Sequence, residues 1–406
     1  MRILLINKYH YQKGGAEKAY FDMAEILTEA GHEVAYFAME DPGNKKTPWS
    51  RFFVKEVSYH QENQSLWQKI DLGLRILWNK EANTKLQALI DEFHPDVAHA
   101  HNIYHQLSPS IFHVLQQNGI PIALTLHDYK IVSPSYTLFA HHKVWEHTSG
   151  VKAILDRVVD NSYAKSSVCA LEKWFHKAKG SYDLVDVLIS PSQFLADTCQ
   201  KLGLKKEIEV LANPLLHIPK EGGEKVPGKI VFVGRLSEEK GVDVLIRAFR
   251  DQSAEKKLHI IGSGPEEAKL KMLVKELNLT DTIIFHGALF GEELDREVLS
   301  SEALVVPSIW YENLPYVVTE NLARGIVVIA SDSGGMKSRI THGENGLLFP
   351  MGESATLSKL LQDLDQYNLE AIRKNAIEST KDLDPSFFLQ RIEALYQMLL
   401  KEKTAS

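Results

Sequence analysis

The sequence predicts an α/β protein built from two successive parallel-sheet domains, on three observations. Short aliphatic runs such as Arg2-Ile-Leu-Leu-Ile6 and Ile230-Val-Phe-Val233 read as strands buried on both faces. Each passes through a turn with glycine or serine into a segment of helical period, which is the order of a βαβ unit. A stretch rich in proline, glycine and charge, Ile218 to Lys229 (IPKEGGEKVPGK), separates two such series. The expected layout is a first domain over residues 1–217, a linker at 218–229, a second domain over 230–384 and a terminal helix over 385–406.

At 406 residues and 44% hydrophobic, the chain is long enough for two cores. A net charge of −7 excludes an ordinary nucleic-acid binder, so no nucleic-acid partner is expected. Cys169 and Cys199 show no CxxC spacing, which argues for a reducing compartment and against a zinc or disulfide scaffold. No run of 18 apolar residues occurs, and Met1-Arg-Ile-Leu-Leu-Ile6 enters a strand without a signal-peptide layout. A cytoplasmic location is expected.

In chain order, strand 2–6 is followed by the loop Asn7 to Gly15, a helix from about Ala16 to Ala30 closed by Gly31, and a strand from His32 to Ala38. Gly14 and Gly15 let backbone approach something closely, or simply make a tight turn. Their loop is neither a Walker loop nor a dinucleotide fingerprint. Residues 45–80 interleave bases with aromatics, and Leu66, Trp67, Ile70, Leu74, Leu77 and Trp78 recur at helical spacing. That pattern suits an anionic membrane surface or a core-facing helix with snorkelling bases. Asp96 to Asn102 and Pro121 to Asp128 are strands with polar ends, which in an open α/β sheet face the ligand crevice. There His127 beside Asp128 suits orienting a hydroxyl or sharing a proton, or a merely structural part. His99 and His101 lack an evident third ligand, so no metal is expected. A helical region from about Ala153 to Lys179 precedes strand Val185 to Ile189 and a helix opened by Ser192.

In the second half, Arg235 and Lys240 flank a strand-to-helix turn, where two cations either neutralise a diphosphate or are simply solvated. Leu258 to Pro265 forms a strand and a glycine-rich turn carrying Gly262 and Gly264, and Ile283 to Ala288, with His286, is another strand end. Asp363-x-Asp365 and Asp382-x-Asp384 read as solvated charge. In Val305 to Pro350, Glu312 lies in a loop beside Asn313-Leu314-Pro315, and Glu320 lies about a turn into the helix that begins near Pro315. Free amides at such a helix start bind anionic or sugar oxygens, and the carboxylates accept from hydroxyls. Helix capping and solvated charge account for the same two glutamates. Strand Ile326 to Ala330 and the turn Ser331-Asp-Ser-Gly-Gly335 complete the unit.

The stretch Val305 to Pro350 resembles the signature of the family-4 retaining glycosyltransferases, although Asn313-Leu-Pro replaces the commoner Gly-Phe-Gly and Ile326-Val327 stands where Gly-x-Pro is common. The resemblance implies that Glu312 touches the donor sugar and Glu320 the nucleotide ribose. Arg235 and Lys240, in Gly-Arg followed by Lys-Gly, would hold the diphosphate, and Gly14-Gly15-Ala-Glu would lie over donor phosphates and acceptor. Gly262 and Gly264 would form a nucleotide-side loop, the strand end at His286 would hold the base by its backbone, and Asn313, Leu314 and Pro315 would hold the sugar. His127 would contact donor sugar or acceptor, with His101 and Asp128 beside it on the acceptor side. Asp128 to Tyr136 resembles a subgroup that builds bacterial surface polysaccharides such as capsule, although the cysteines often found downstream in that subgroup are absent from Trp145 to Val151.

The implied fold is GT-B: two Rossmann-like domains facing a central cleft, acceptor on the first and donor on the second, with the last helix packing back on the first. The implied activity is metal-independent, retaining transfer of a hexose or deoxyhexose from a UDP-, GDP- or dTDP-sugar to a saccharide, lipid-linked acceptor. Peripheral contact with the inner membrane face would follow, and no cofactor beyond the donor substrate is expected. A nucleotide-sugar epimerase of the same fold and a non-catalytic nucleotide-sugar-binding scaffold are the alternatives.

Overall fold

The computed structural model describes residues 1–56, 73–218 and 224–405. It separates into two compact units, one of Met1–Thr137, Glu146–Pro214 and Pro385–Ser406, the other of Leu138–Trp145 and Leu215–Asp384. Leu66, Trp67 and Ile70 of the amphipathic stretch, and residues 219–223 of the expected linker, lie outside the described residues. Of the described part of that stretch, Trp49 meets Phe93 edge-on and Trp78 packs near His113 and Phe175.

The first sheet uses β1 (Arg2–Ile6), β2 (Glu33–Phe37), β3 (Val97–Ala100) and β4 (Ile122–Thr125). After a hairpin of β5 (Phe139–Ala140) and β6 (Lys143–Val144), which belongs to the second unit, come β7 (Val187–Ser190) and β8 (Ile208–Val210). The order is β2-β1-β3-β4-β7-β8, and every neighbouring pair is parallel. The second sheet takes β9 (Lys229–Val233), β10 (Lys257–Ile261), β11 (Ile283–Gly287), β12 (Ala303–Val306), β13 (Val327–Ser331) and β14 (Leu347–Phe349) in the order β11-β10-β9-β12-β13-β14, also all parallel. Aliphatic side chains on both faces explain why these strands read as unbroken apolar runs: Val231 and Ile230, neighbours in β9, enter different cores.

Chain direction reverses between β1 and β3 in the first sheet and between β9 and β12 in the second. In open α/β sheets the crevice beyond the strand carboxyl ends at such a reversal is where ligands sit. That argument selects two pairs of loops before any side chain is considered.

Two expectations need correcting. Lys229 is the first residue of β9 and buried, so it is no part of a linker. The helical region near Ala153 to Lys179 is two helices, Gly150–Leu155 and Tyr163–Lys179. Positive φ at Arg157, Asp160 and Asn161 breaks them apart, and Ser149 and Ser162 cap the two starts. The terminal helix, Pro385–Ala405, packs back on the first unit: Tyr396 is fully buried with its hydroxyl 2.6 Å from His99 Nδ1, and Glu393 reaches His32 Nε2 at 2.7 Å. Among the described residues no helix is long and apolar enough to cross a membrane.

Candidate active site

In the second unit, the loops after β9 and β12 meet. The chain leaves β9 at Val233, turns through Arg235, makes a short 3-10 turn over Glu238–Lys240 and passes Gly241 into the helix Val242–Ala248. Gly241 has φ of 62°, and a Cβ there would stand 2.2 Å from the carbonyl oxygen of Pro307. Only glycine permits that approach, and the approach brings Lys240 over the second loop. Lys240 Nζ donates to Glu312 Oε1 at 2.6 Å and sits 5.3 Å from the centre of the Trp310 ring. Ser308 Oγ donates to the same carboxylate oxygen at 2.8 Å. Burial pushes the Glu312 carboxyl up, but the Lys240 ammonium and these hydrogen bonds outweigh it and hold the group below its ordinary value. Glu312 is therefore an ionised acceptor at neutral pH although only 5% exposed.

The helix Tyr316–Ala323 begins directly after Pro315, with Glu320 in its second turn and half-buried. Asn313, Leu314 and Pro315 lead into the positive end of this helix, where Val318 N and Thr319 N donate back to Pro315 O at 2.9 and 3.4 Å. The Glu312–Asn313 backbone is pressed onto Gly334 and Gly335, a pair whose role sequence reasoning did not single out. Gly335 N donates to Glu312 O at 2.7 Å, and a Cβ on Gly335 would fall 1.3 Å from Asn313 O. Gly262 and Gly264 are needed for a similar reason: their Cβ atoms would meet Gly234 O at 1.8 Å and Leu236 O at 2.3 Å. They press the turn that carries Arg235 into place, while Arg235 itself is exposed and forms no ion pair among the described residues. The His286 ring is turned to His259, Nε2 to Nδ1 at 2.9 Å.

In the first unit the ends of β1, β3 and β4 converge. Lys8 N donates to Asn102 O at 2.7 Å, and His101 N donates to Ile6 O at 2.8 Å, tying the β1 and β3 loops together. His101 Nδ1 lies 2.9 Å from His127 Nε2, with the rings stacked 5.2 Å apart. His99, behind them, uses one nitrogen on Tyr396 at 2.6 Å and the other on Thr125 at 2.7 Å. Asp128 accepts from Lys130 N at 2.9 Å, and burial, opposed by that bond and by Lys8 and Lys130, lifts its carboxyl to about 6. A depression lined by His101, Asn102, Tyr104, His127, Asp128 and Lys130 opens there. Gly14 is exposed, its φ of −166° is extended backbone, and a Cβ on it would meet nothing closer than 3.6 Å. Turn geometry therefore does not explain this glycine.

Two buried charges, Lys130 and Glu172, and the half-buried His105 beside them escaped sequence reasoning. Lys130 Nζ pairs with Glu172 Oε2 at 2.6 Å, and His105 Nδ1 reaches the same oxygen at 2.9 Å. Burial alone would push the Glu172 carboxyl up, but His105 and Lys130 hold it at about 2. Lys130 and Glu172 are 42 positions apart on a loop and a helix, so no local pattern announces the pair.

The histidines make the first unit acid-labile. Burial, aided by Lys45 at His10, by Lys8 at His127 and by neighbouring imidazoles at His99 and His101, lowers their pKa values from 6.5: to about 4 for His10 and His127, to about 3 for His99, and well below the ordinary value for His101. Between pH 6.5 and 4 the unfolded chain binds protons that the folded chain does not, so stability falls as pH falls through that window. Asp128, raised to about 6, and His105, raised against burial by Glu172, act in the opposite sense, while His113 and His176, lowered mainly by burial, join the other four. We expect the thermal midpoint of the first unit to drop between pH 6.5 and 4.5 in scanning calorimetry, and His99→Gln to flatten the drop. A midpoint independent of pH over that range would refute this assignment.

A model described as "Glycosyltransferase Family 4" matches residues 13–215, half of the chain, and one described as "Glycosyl transferases group 1" matches residues 217–382. The chain is 24% identical over 358 residues to an uncharacterised 42.6 kDa protein of the cps region of Klebsiella pneumoniae, covering 83% of this chain and 86% of that protein. It is 25% identical over 231 residues to WcaL of Escherichia coli, a putative colanic acid biosynthesis glycosyltransferase, covering 53% of this chain and 57% of WcaL. Among solved structures, Anabaena HepE in complex with UDP superposes with a TM-score of 0.70 at 19% identity, over 98% of this chain and all of HepE.

Proposed function

The chain belongs to glycosyltransferase family 4 and has the GT-B fold, and on that footing we propose that it transfers a hexose or deoxyhexose, with retention, from a nucleotide diphosphate sugar to a saccharide. One observation carries the reading: at the chain reversal of the second sheet, ionised Glu312 is paired with Lys240 beside exposed Arg235. Arg235 and Lys240 take the diphosphate, while Glu312 and the amides after Asn313 take the sugar hydroxyls and Glu320 the ribose. The acceptor oxygen bonds to the anomeric carbon on the face that the phosphate oxygen leaves, and the acceptor's proton passes to that oxygen. The two cations stabilise the charge growing on the diphosphate, so no divalent ion is needed. His101, His127 and Asp128 hold the acceptor. Gly14 and Gly15, at the β1 loop, leave room for phosphate or acceptor to approach the backbone.

The acceptor is a lipid-linked saccharide of a surface polysaccharide such as capsule, reached at the inner membrane face by peripheral contact. The cps-region and colanic acid relatives support the surface-polysaccharide part of this reading.

The test is a panel of UDP-, GDP- and dTDP-sugars, read by thermal shift and nucleotide release with and without EDTA. UDP-glucose, which HepE binds in the crystal, comes first. One donor should stabilise the chain by several degrees in the presence of EDTA and lose its nucleotide only with an acceptor. Acceptor-independent turnover of the sugar would favour an epimerase. No shift with any donor would favour a scaffold.

A further inference from the structure

Beneath the turn that follows β11, ligating side chains from three elements converge. His259 on β10 and His286 on β11 stack with ring centres 5.0 Å apart, and His286 Nε2 stands 2.9 Å from His259 Nδ1. Glu297, on the helix Gly291–Leu299, brings Oε2 to 3.2 Å from His259 Nδ1 and 4.0 Å from His286 Nε2. Leu258 and Ile260 enter the opposite core, which leaves His259 on the face that Glu297 covers. The pairing of β10 with β11 shifts between Ile260 and Ile261, which face Phe285 and Gly287, so His286 is the extra residue of a bulge. A bulge re-aims a side chain, and this one puts a second imidazole on the same face.

Tetrahedral zinc holds nitrogen and carboxylate oxygen at about 2.0–2.2 Å, which sets its ligand atoms about 3.3 Å apart. The three observed separations bracket that value. We propose that His259, His286 and Glu297 form a zinc(II) site whose fourth position is open to water. Two imidazoles and one carboxylate suit zinc and disfavour magnesium or calcium, which take oxygen ligands. The three side chains are 16%, 23% and 24% exposed, so an ion can reach them. Lys229 Nζ, 2.7 Å from the same Glu297 Oε2 and 2.8 Å from Ser300 Oγ, shares the ligating oxygen and fixes its position, while its charge moderates the affinity.

Zinc here would clamp the helix Gly291–Leu299 to the edge strand β11. Gly287 O at the end of that strand accepts from Gly262 N at 2.7 Å, and Gly262 supports the Arg235 turn, so the clamp would steady the donor side of the unit from outside the reacting groups. The site does not depend on the transfer reaction and is read without sugar or nucleotide.

The full chain, stripped of metal by chelator and desalted, is titrated with zinc chloride by calorimetry and with cobalt(II) chloride by visible absorption. We expect one zinc per chain, intense tetrahedral cobalt bands, and a rise in thermal midpoint with zinc. In the double variant His259→Gln, Glu297→Gln these vanish, the dissociation constant rising by more than about tenfold, since even outer-sphere changes cost that much. Equal uptake by unaltered chain and variant would assign the ion to other histidines and overturn the proposal. Should the variant fail to fold, the unaltered chain decides alone: weak octahedral cobalt bands, or none, overturn it as well.

Discussion

Replacing Lys240 by alanine lowers kcat for transfer by about 100-fold while the chain remains folded, the loss expected when one preorganised donor to a developing anion is removed. The expectation rests on the Lys240–Glu312 pair at 2.6 Å. In the proposed reaction the ammonium would act twice, on the leaving diphosphate and on the carboxylate that would hold the sugar. Without it Glu312 keeps only its hydrogen bonds, including Ser308 at 2.8 Å, and burial is free to lift its carboxyl. The sign follows from linkage. In the unaltered chain Glu312 lies below its ordinary value, so its stabilising ionised state is present above that value and is lost as pH falls through the lowered one. In Lys240→Ala that loss begins at higher pH, and the acid limb of the kcat profile moves up. Initial rates across pH, with KM for the donor measured separately, check both parts. Undiminished transfer, or a fall confined to KM, would remove Lys240 from the reaction.

Gly335→Ala has the second large effect, through backbone alone. Its Cβ would lie 1.3 Å from Asn313 O and 2.4 Å from Asn313 C, neither of which can swing aside as a flexible side chain would. The loop carrying Glu312 must retreat, at a cost of about 3 kcal/mol in the second unit, and the hydrogen bond from Gly335 N to Glu312 O is lost. Donor binding by calorimetry should fall below detection. Gly352→Ala is the control: φ is 82° there but no atom lies within 4 Å of the added Cβ, so only about 1 kcal/mol of backbone strain and intact donor binding are expected. Equal effects of the two changes would show that strain at glycine, and not the Glu312 loop, is what matters.

The expected strands were legible because a strand buried on both faces must be apolar throughout, as Ile3 to Ile6 and Ile230 to Phe232 are. The start of the Glu320 helix was legible because Pro315 suits a helix start and little else in a helix. The break between Leu155 and Tyr163 was missed although Asp160-Asn161-Ser162 is a turn and cap signal, and only the left-handed backbone at Arg157 goes unannounced by its residue type. Around the site, Arg235, Lys240 and Glu312 stand out by residue type in the loops after strands, and Glu320 in the helix that follows Pro315. Ser308, Gly334 and Gly335, which hold Glu312 in place, look like ordinary loop residues.

By itself the sequence determined two parallel α/β sheets, the loops that end their strands and the charged residues on those loops, because period, glycine and proline act over a few residues. Only the tertiary structure decided that Lys240 meets Glu312, that Gly335 presses on Asn313, that Tyr396 closes over His99 and that His259, His286 and Glu297 share one face. These contacts join residues 11 to 297 positions apart. Their partners are chosen by strand order and register, which depend on the whole sheet and leave no local mark.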